Sequence, residues 1–466
     1  MDDTHVTMEK ITALAKKRGF VFPGSAIYGG LANSWDFGPL GTELKNNLRD
    51  WWWKRFVHSR SDMVGIDAAI MMNPKVWETS GHVANFNDAM IDCKSCKARH
   101  RADHLIEDKF PEMKVDGLDP KELTAIIVDK EIQCPKCGKK DFTDARTFNL
   151  LFQTSIGKTE SDKQTLYLRG EIAQAMFVNF KHVLETSRKR VPFGIASVGK
   201  AFRNEITPGN FIFRTLEFDL MEFEYFIREE NWETQFEYWL SEMNNWLGDI
   251  GFNPESTRVR EHTQDELSFY SKRTVDIEYN TPFGWKEMFG LAYRTDYDLS
   301  VHTEKSKVDL RYTDPNSGEK FIPHVIEPTF GLSRLTLMAL LEAYNEESVA
   351  TADGKEETRV VMKFHPRIAP FKIAVLPLSK KPDLQELAKT LETQLSKRWH
   401  TDYDETQSIG RRYRRQDEIG TPYCVTVDFD SLEDKAVTVR DRDSMKQDRI
   451  AIDKLEQYFQ EKLSDL

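Results

Sequence analysis

The chain has 466 residues, with 65 basic against 76 acidic side chains, and its net charge of −11 gives no support to general nucleic-acid affinity, although a local basic patch stays open. Apolar residues make up 39% and aromatic residues 11%, enough for two or three filled cores, and the 30% of charged residues are spread along the chain, which argues against disorder. No run of about 18 apolar residues occurs, and the N-terminus MDDTHVTMEKITALAKKRGF lacks the apolar stretch of a secretion signal, so a cytoplasmic protein without membrane contact is expected.

In chain order, Met8, Ile11, Leu14 and Ala15 fall on one face of a helix that Gly19 stops. The segment FGPLGTELKNNLRDWWWKRFVHSR spaces Leu40, Leu44, Leu48, Trp51, Trp52 and Phe56 at helical intervals, predicting a helix over 39–57 with proline and glycine at its entry. MVGIDAAIMMNP reads as a strand ending at Pro74. Three consecutive tryptophans cannot all face one core, so a second surface, such as a subunit, is expected over some of them. From about 90 to 145 the chain turns polar and cysteine-bearing and reads as an insertion.

Residues 164–340 are dominated by β-type runs, with helices only at about 172–190, 229–250 and 332–345, which indicates an antiparallel sheet and an α+β core. The hydrophilic stretch 343–360 reads as a connector. Beyond it FKIAVLPL, a helix near 383–398, YCVTVDFD, KAVTVRDR and a last helix predict a separate, mostly parallel α/β domain.

The stretch GKAFRNEITPGNFIFRTLEF (199–218) reads as a hairpin around a Thr-Pro-Gly-Asn turn, with charges of both signs among aromatic residues. Ordinary alternation would simply expose Arg214 and Glu217. Yet LMEFEYF, GWKEMFG and IEPTFGLSRL repeat the pattern, and if these segments share a sheet they build a charged floor roofed by phenylalanines. Buried charges persist only when paired or ligand-bound, and such a floor suits a ligand with phosphates, a purine ring and an ammonium group.

The spacing Phe202-Arg203-x-Glu205, a turn, Arg214, Phe218 and Glu222 resembles the second signature motif of class II aminoacyl-tRNA synthetases; GLSRLTLMALL (331–341) resembles their third, and the helix–strand–proline unit ending at Pro74 their first. IYGGLANSWDFGPLGTELKNN, VWETSGHVANFND, FGIASVGKAFRNEITPGNFIFR, RTDYDL and YCVTVDFD…VTVRDRDSM resemble one family in particular, the homodimeric, single-chain glycyl-tRNA synthetases, from about residue 8 to the C-terminus. Two places depart from that family's usual pattern. LRGEIAQAMF stands where L-R-P-E-T-A-Q-G-I-F is usual, keeping the glutamate as Glu171, and Leu220 stands where glutamine is usual.

The resemblance implies a class II antiparallel-sheet catalytic domain over 1–365, carrying a zinc-ribbon-like insertion at about 90–145, and an anticodon-binding α/β domain over 366–466. It implies a homodimer that activates glycine with ATP to glycyl-adenylate and transfers it to the 3′ end of tRNA(Gly), with magnesium as ATP's companion. The ATP site would comprise Arg203, Asn204 and Glu205; Phe213 through Phe218 (Arg214, Thr215, Leu216 and Glu217 between them); Glu287 and Met288; and Gly331, Leu332, Ser333 and Arg334. Arg203 would hold the α-phosphate, Glu205 the adenine amino group, Arg214 the β- and γ-phosphates, while Phe218 and Arg334 sandwich the adenine. Arg203 and Arg334 would carry the catalytic charge, and Glu287, with Glu217 as a second candidate, the magnesium ions. The amino-acid site would draw on Arg101, Glu171, Phe218, Asp219, Leu220, Met221, Glu222, Glu327, Pro328, Thr329, Phe330 and Gly331. Glu171, Glu222 and Glu327 would face the ammonium group and Thr329 would crowd any side chain. Arg101 reads equally as a surface charge in a basic run.

Cys93-x-x-Cys96 and Cys134-x-x-Cys137-Gly form two knuckle-like pairs suited to a Cys₄ zinc site, four free cysteines being the alternative; Cys424 reads as a buried strand residue. GRRYRRQDEIG (410–420) is either a solvated helix face or an approach to tRNA, with Arg411 and Arg412 as candidate phosphate contacts. Two other classes compete: a non-catalytic synthetase-like nucleic-acid binder or polymerase accessory protein, expected to lack Arg203, Glu205 or Arg334, and a zinc-dependent nucleic-acid binder, which leaves 199–341 unexplained.

Overall fold

The computed structural model describes residues 6–113, 115, 117–207, 209–350 and 356–463. The acidic start of the chain, Pro208 of the expected turn and residues 351–355 of the expected connector lie outside the described residues. A first helix, Met8–Arg18, is capped by the Thr7 hydroxyl, which accepts from the Lys10 N–H at 3.2 Å, and ends at Gly19 in the left-handed region (φ 80°).

Helix α1 (Pro39–Trp53) starts with proline in its first turn and continues as a wider π turn, Lys54–His58. Leu40, Leu44, Leu48, Trp52 and Phe56 are buried, as the spacing predicts. Trp52 is wholly enclosed by Phe56, Phe223 and Phe330. The flanking tryptophans find cover within the chain: the Arg367 guanidinium sits 3.6 Å from the Trp51 ring, and the Trp53 N–H donates to His58 Nε2 at 3.0 Å.

Strand β1 is only Met63–Gly65. The predicted strand to Pro74 is therefore too long. Met71 makes an isolated bridge to Leu168, and Pro74 opens a helix, Pro74–Thr79, whose cap Asn73 accepts from the Lys75 N–H. Proline ends an extended run equally well by starting a helix, because its missing N–H is one that the first turn leaves unused.

The central elements follow: α2 (Ala173–Ser187), β2 (Phe193–Phe202), β3 (Glu217–Ile227), α3 (Trp232–Asp249), β4 (Thr257–Glu261), β5 (Arg273–Thr281), β6 (Gly284–Thr295), α4 (Tyr297–Ser306), β7 (His324–Gly331) and α5 (Leu332–Ala343). They build one seven-stranded sheet, β4-β5-β6-β7-β3-β2-β1, antiparallel except for the parallel β1–β2 pair. The four charge-bearing segments do share this sheet. The 203–216 link between β2 and β3 is a loop rather than hairpin strand; Gly209 and Arg214 bridge across a short turn.

Alternation assigns the two faces. Met221, Phe223, Tyr225, Phe289, Tyr293, Ile326 and Phe330 point down onto Trp52, Phe56, Trp239 and Trp246 of α1, its π turn and α3. The upper face carries Glu222, Glu224, Glu327, Thr329 and Arg294. At one end of that face, α2 and α4 cover Phe193, Ile195 and Phe226.

Residues 87–149 form the expected insertion: a three-stranded sheet (Asn87–Asp92, Arg99–Arg101, Arg146–Asn149) with helices Ala102–Glu107 and Pro120–Asp129 closing a small core around Ile91, Ile106 and Ile127. The hydrophilic 343–360 stretch is not a plain connector. Tyr344–Ala350 and Glu356–Met362 pair as an antiparallel hairpin. A separate core begins at Ile373 under a five-stranded sheet that is half parallel and half antiparallel, not mostly parallel, because the last two strands return through links too short for a crossover helix to span the sheet, one holding only the single turn Asp430–Asp434.

Gly41 lies where α1 presses on the backbone of Phe20: a Cβ there would stand 1.9 Å from the Phe20 carbonyl oxygen. Gly41→Ala gains about 1 kcal/mol of helix propensity but forces backbone apart. A net loss of about 1–3 kcal/mol is expected, read as a lowered urea midpoint.

Candidate active site

The upper face of the sheet holds a cavity of about 260 Å³. Its lining takes in Arg203, Glu205, Phe213, Arg214, Thr215, Phe218, Asp219, Leu220, Glu222, Glu287, Met288, Glu171, Glu327, Thr329, Gly331, Ser333 and Arg334 of the expected residues. Arg203 leaves the end of β2, where its N–H donates to the Leu216 carbonyl and its Nε to the Gly170 carbonyl, both at 3.0 Å. Its guanidinium lies between the Phe86 and Phe218 rings, 5.1 and 5.4 Å from their centroids. Arg334 stands in the first turn of α5. It pairs with the Glu287 carboxylate at 2.9 Å and lies over Phe213, 4.8 Å from the ring centroid. That pairing, with Glu287 itself at the exposed mouth of the site, holds its carboxyl below its usual range.

Arg101 and Arg214 join these two arginines in an adjoining cavity of about 290 Å³, with Asp88, Glu205 and Glu287 between them. Arg101 is tied to Asp103 at 2.5 Å and to Asp88 at 3.2 Å, so it is no loose surface charge. Burial lowers the Arg214 pKa; Glu205 opposes this, while Arg334 and Arg101 add to it. Such crowding of cations is relieved by an anion with several phosphates.

The deeper end is acidic. Glu171 accepts from the Gln174 amide at 3.1 Å and faces His82 Nε2 at 3.1 Å. Burial alone would raise its carboxyl, but His82 and Arg294 hold it far below the usual carboxylate range. Glu327 takes Arg294 at 2.8 Å, and Glu222 accepts from the Thr329 hydroxyl at 3.1 Å. Burial, then the neighbouring Glu327, pushes Glu222 well up. Arg294, only 1% exposed, forks onto Asp298 at 2.8 and 3.0 Å while also holding Glu327. This group can receive one small cation bearing several N–H donors.

Not every expected residue faces the cavity. Met221, Phe330 and Leu332 are in the core below and Pro328 shares the downward register of β7; strand alternation is the reason for the three strand residues, while Leu332 opens the buried side of α5. Asn204 and Leu216 contribute backbone, to Leu150 and Arg203. Glu217 is at the rim, paired with Lys200 at 2.5 Å. Sequence reasoning missed His82, Gln174, Arg294, Asp298 and Tyr270. Arg294 and Asp298 stand four apart in RTDYDL, a spacing that carries an ion pair where a strand turns into a helix, but their burial had no local signal. The two departures from the family pattern meet: Ile172 and Leu220 pack together with Ala201 in one apolar patch.

The four cysteines of the insertion bring their sulfurs within 4.8 Å of one another, Cys93 to Cys137 at 3.6 Å and Cys96 to Cys134 at 3.7 Å. Cys424 is buried in its strand. The basic helix Ile409–Ile419 corrects one expectation. Arg412 is 1% exposed and donates to the carbonyls of Pro377 and Gln407, so it is structural, its long side chain spanning between backbone turns. Arg411 is exposed.

Residues 152–344 match the tRNA synthetase class II core domain (G, H, P, S and T), and residues 372–462 match the anticodon binding domain. The chain is 57% identical to a glycine–tRNA ligase of Acetivibrio thermocellus, covering 98% of each chain, and 55% identical to one of Geobacillus thermodenitrificans, covering 99% of each. The chain belongs to the glycine–tRNA ligase family. In fold it is similar to the prolyl-tRNA synthetase of Cryptosporidium parvum solved with L-proline and AMP, at a TM-score of 0.63 and 13% identity over 100% of this chain and 77% of that one.

Arg294 is the buried counterion on which the acidic end of the site depends. Arg294→Met leaves Asp298 and Glu327 uncompensated, and a loss of about 3–5 kcal/mol in unfolding free energy is expected, measured by urea denaturation.

Proposed function

We propose that this chain is a glycine–tRNA ligase whose active site is the cavity on the upper face of the sheet. The observation that carries the reading is the pairing of a four-arginine cluster with a pocket lined by the buried Glu171, Glu222 and Glu327, side by side within a family of known reaction type. The substrate carboxylate is itself the nucleophile, so no activated serine or cysteine is required. One carboxylate oxygen attacks the α-phosphorus of ATP, the bond to the bridging oxygen breaks, and pyrophosphate leaves with the electron pair. In the second step a 3′-terminal ribose hydroxyl of tRNA(Gly) attacks the adenylate carbonyl and AMP leaves. Catalysis is then positioning and charge neutralisation.

Arg203, held between two rings and tied to Gly170, is suited to the α-phosphate. Arg214 and Arg101 suit the outer phosphates. Phe218 and the Arg334 guanidinium suit the two faces of adenine. Magnesium, when bound, would neutralise phosphate charge; carboxylate oxygens are its natural donors, and Glu287, with Glu217, would hold it. Glu171, Glu222 and Glu327 suit the ammonium group. Thr329, fixed by its bond to Glu222, is suited to crowding out any side chain larger than hydrogen. Glycine is the smallest amino acid, so crowding alone rejects all others.

The insertion fits zinc. With Zn–S near 2.3 Å, a tetrahedron has edges of about 3.8 Å, close to the observed sulfur spacings. Four thiolates close the coordination sphere, so zinc would hold the insertion together and leave chemistry to the sheet. The exposed Met71, in the segment after β1, supports pairing of two copies there, next to α1. Residues 366–466, with the exposed Arg411, are suited to the anticodon arm of tRNA.

Glycine-dependent ATP–pyrophosphate exchange tests the reading. Arg203→Ala and Arg334→Ala are each expected to cost at least about 10²-fold, the scale of one lost transition-state donor; near-parental exchange in folded Arg203→Ala would sink the assignment. Elemental analysis is expected to find one zinc per chain, and Cys134→Ser to lose it and expose the insertion to protease. Metal-free protein purified without chelator would count against the zinc site.

A further inference from the structure

Glu224 lies two residues beyond Glu222 on β3 and points to the same face. It is 0% exposed, and neither of its carboxylate oxygens has a hydrogen-bond partner among the described residues. Its carboxyl lies with those of Glu222 and Glu327 in one group whose ligand oxygens are all within 4.8 Å.

The surrounding donors are already used. Arg294 gives Nε and one terminal nitrogen to Asp298 and the other to Glu327. Gln174 gives its amide to Glu171 and Asp298, and Thr329 its hydroxyl to Glu222. His82 faces Glu171, and His302 faces the Gln174 oxygen. The charged groups that bear on Glu224 are therefore Glu222 on its own strand, Glu327 on β7, Arg294 on β6, Asp298 on α4 and Glu171 before α2. Four are acids, and the one cation is committed. An ionised Glu224 would add an unpaired buried charge to this group; a neutral one has a proton to give, and acceptors stand next to it.

We propose that Glu224 is a positioning residue for amino-acid binding: a protonated carboxyl beneath the pocket floor that donates to the Glu222–Glu327 carboxylates and fixes their remaining oxygens toward the ammonium group. Burial, then the nearby Glu327, raises its carboxyl well above the usual range, which favours the protonated form that the unpartnered oxygens call for. The inference rests on the reading of this pocket as the ammonium site.

Glycine-dependent exchange with Glu222→Gln, Glu224→Ala and Glu224→Gln in the full chain tests it, together with infrared spectra of parent and Glu224→Gln at neutral pH. Glu224→Ala is expected to raise the glycine KM about 10-fold or more, with the ATP KM changed less than about 2-fold, as for a lost hydrogen bond to a charged group. Glu224→Gln, whose amide can donate from the same place, is expected to recover most of that loss. It should also remove a protonated-carboxyl stretching band that the parent shows. The inference is overturned if Glu224→Ala keeps the parental glycine KM, if Glu224→Gln is as impaired as Glu224→Ala, or if the band persists in Glu224→Gln. Should Glu224→Ala not fold, Glu224→Gln and the band decide alone. A raised glycine KM in Glu222→Gln beside an unaffected Glu224→Ala overturns this inference only; an unaffected Glu222→Gln overturns the ammonium pocket and this inference together.

Discussion

Burying acids on the upper face of a sheet is the constraint around which this molecule is organised. Moving a charge out of water is costly unless it is paired and hydrogen-bonded. The chain meets that cost with one deeply buried guanidinium, Arg294, which serves Asp298 and Glu327 at once. Its aliphatic stem and head are fixed in turn by rings: Tyr270 lies 3.9 Å from the guanidinium and Phe177 5.2 Å. The lower face supplies the rigidity. Trp52, Phe56 and Trp246 grip Phe330 of β7 from beneath, with Trp239 beside them, so that the upper side chains have little freedom to collapse toward one another.

The two ends of the cavity solve opposite electrostatic problems on one scaffold. At the acidic end the carboxylates outnumber Arg294; at the arginine end the guanidiniums are in excess, eased by Glu287 and Glu205. A substrate pair that brings an ammonium group to one end and phosphates to the other relieves both. The joint between β7 and α5 links them, since Thr329 and Arg334 stand five residues apart across Gly331. Asp219 stands between the ends, held by Lys45 and by the hydroxyl of Ser333.

Much of this was legible in the chain because it was written in short-range patterns. The spacing of Leu44, Leu48, Trp52 and Phe56 gave a helix, and alternation in LMEFEYF gave a strand with glutamates on one side. Long motifs in order pointed to the family. What was not legible depends on partners far away in sequence. Arg412 looked like a solvent-facing cation until Pro377 and Gln407 enclosed it. The polar 343–360 stretch looked like a connector, but its Arg359 is buried against Asp417, which also takes Arg440. His82 and Gln174 show no periodicity that marks them as neighbours of Glu171. Pro74 was ambiguous for a different reason: proline closes a strand and opens a helix with the same dihedral angle.

Ile172 and Leu220 come from segments nearly fifty positions apart, yet they share one apolar contact beside the cavity. A change at either position alone, to threonine or to glutamine, would strand a hydroxyl or an amide against a hydrocarbon surface with no partner. The two positions are thus coupled: exchanging both together is expected to cost less than the sum of the two single exchanges, since neighbours that share a contact do not add independently.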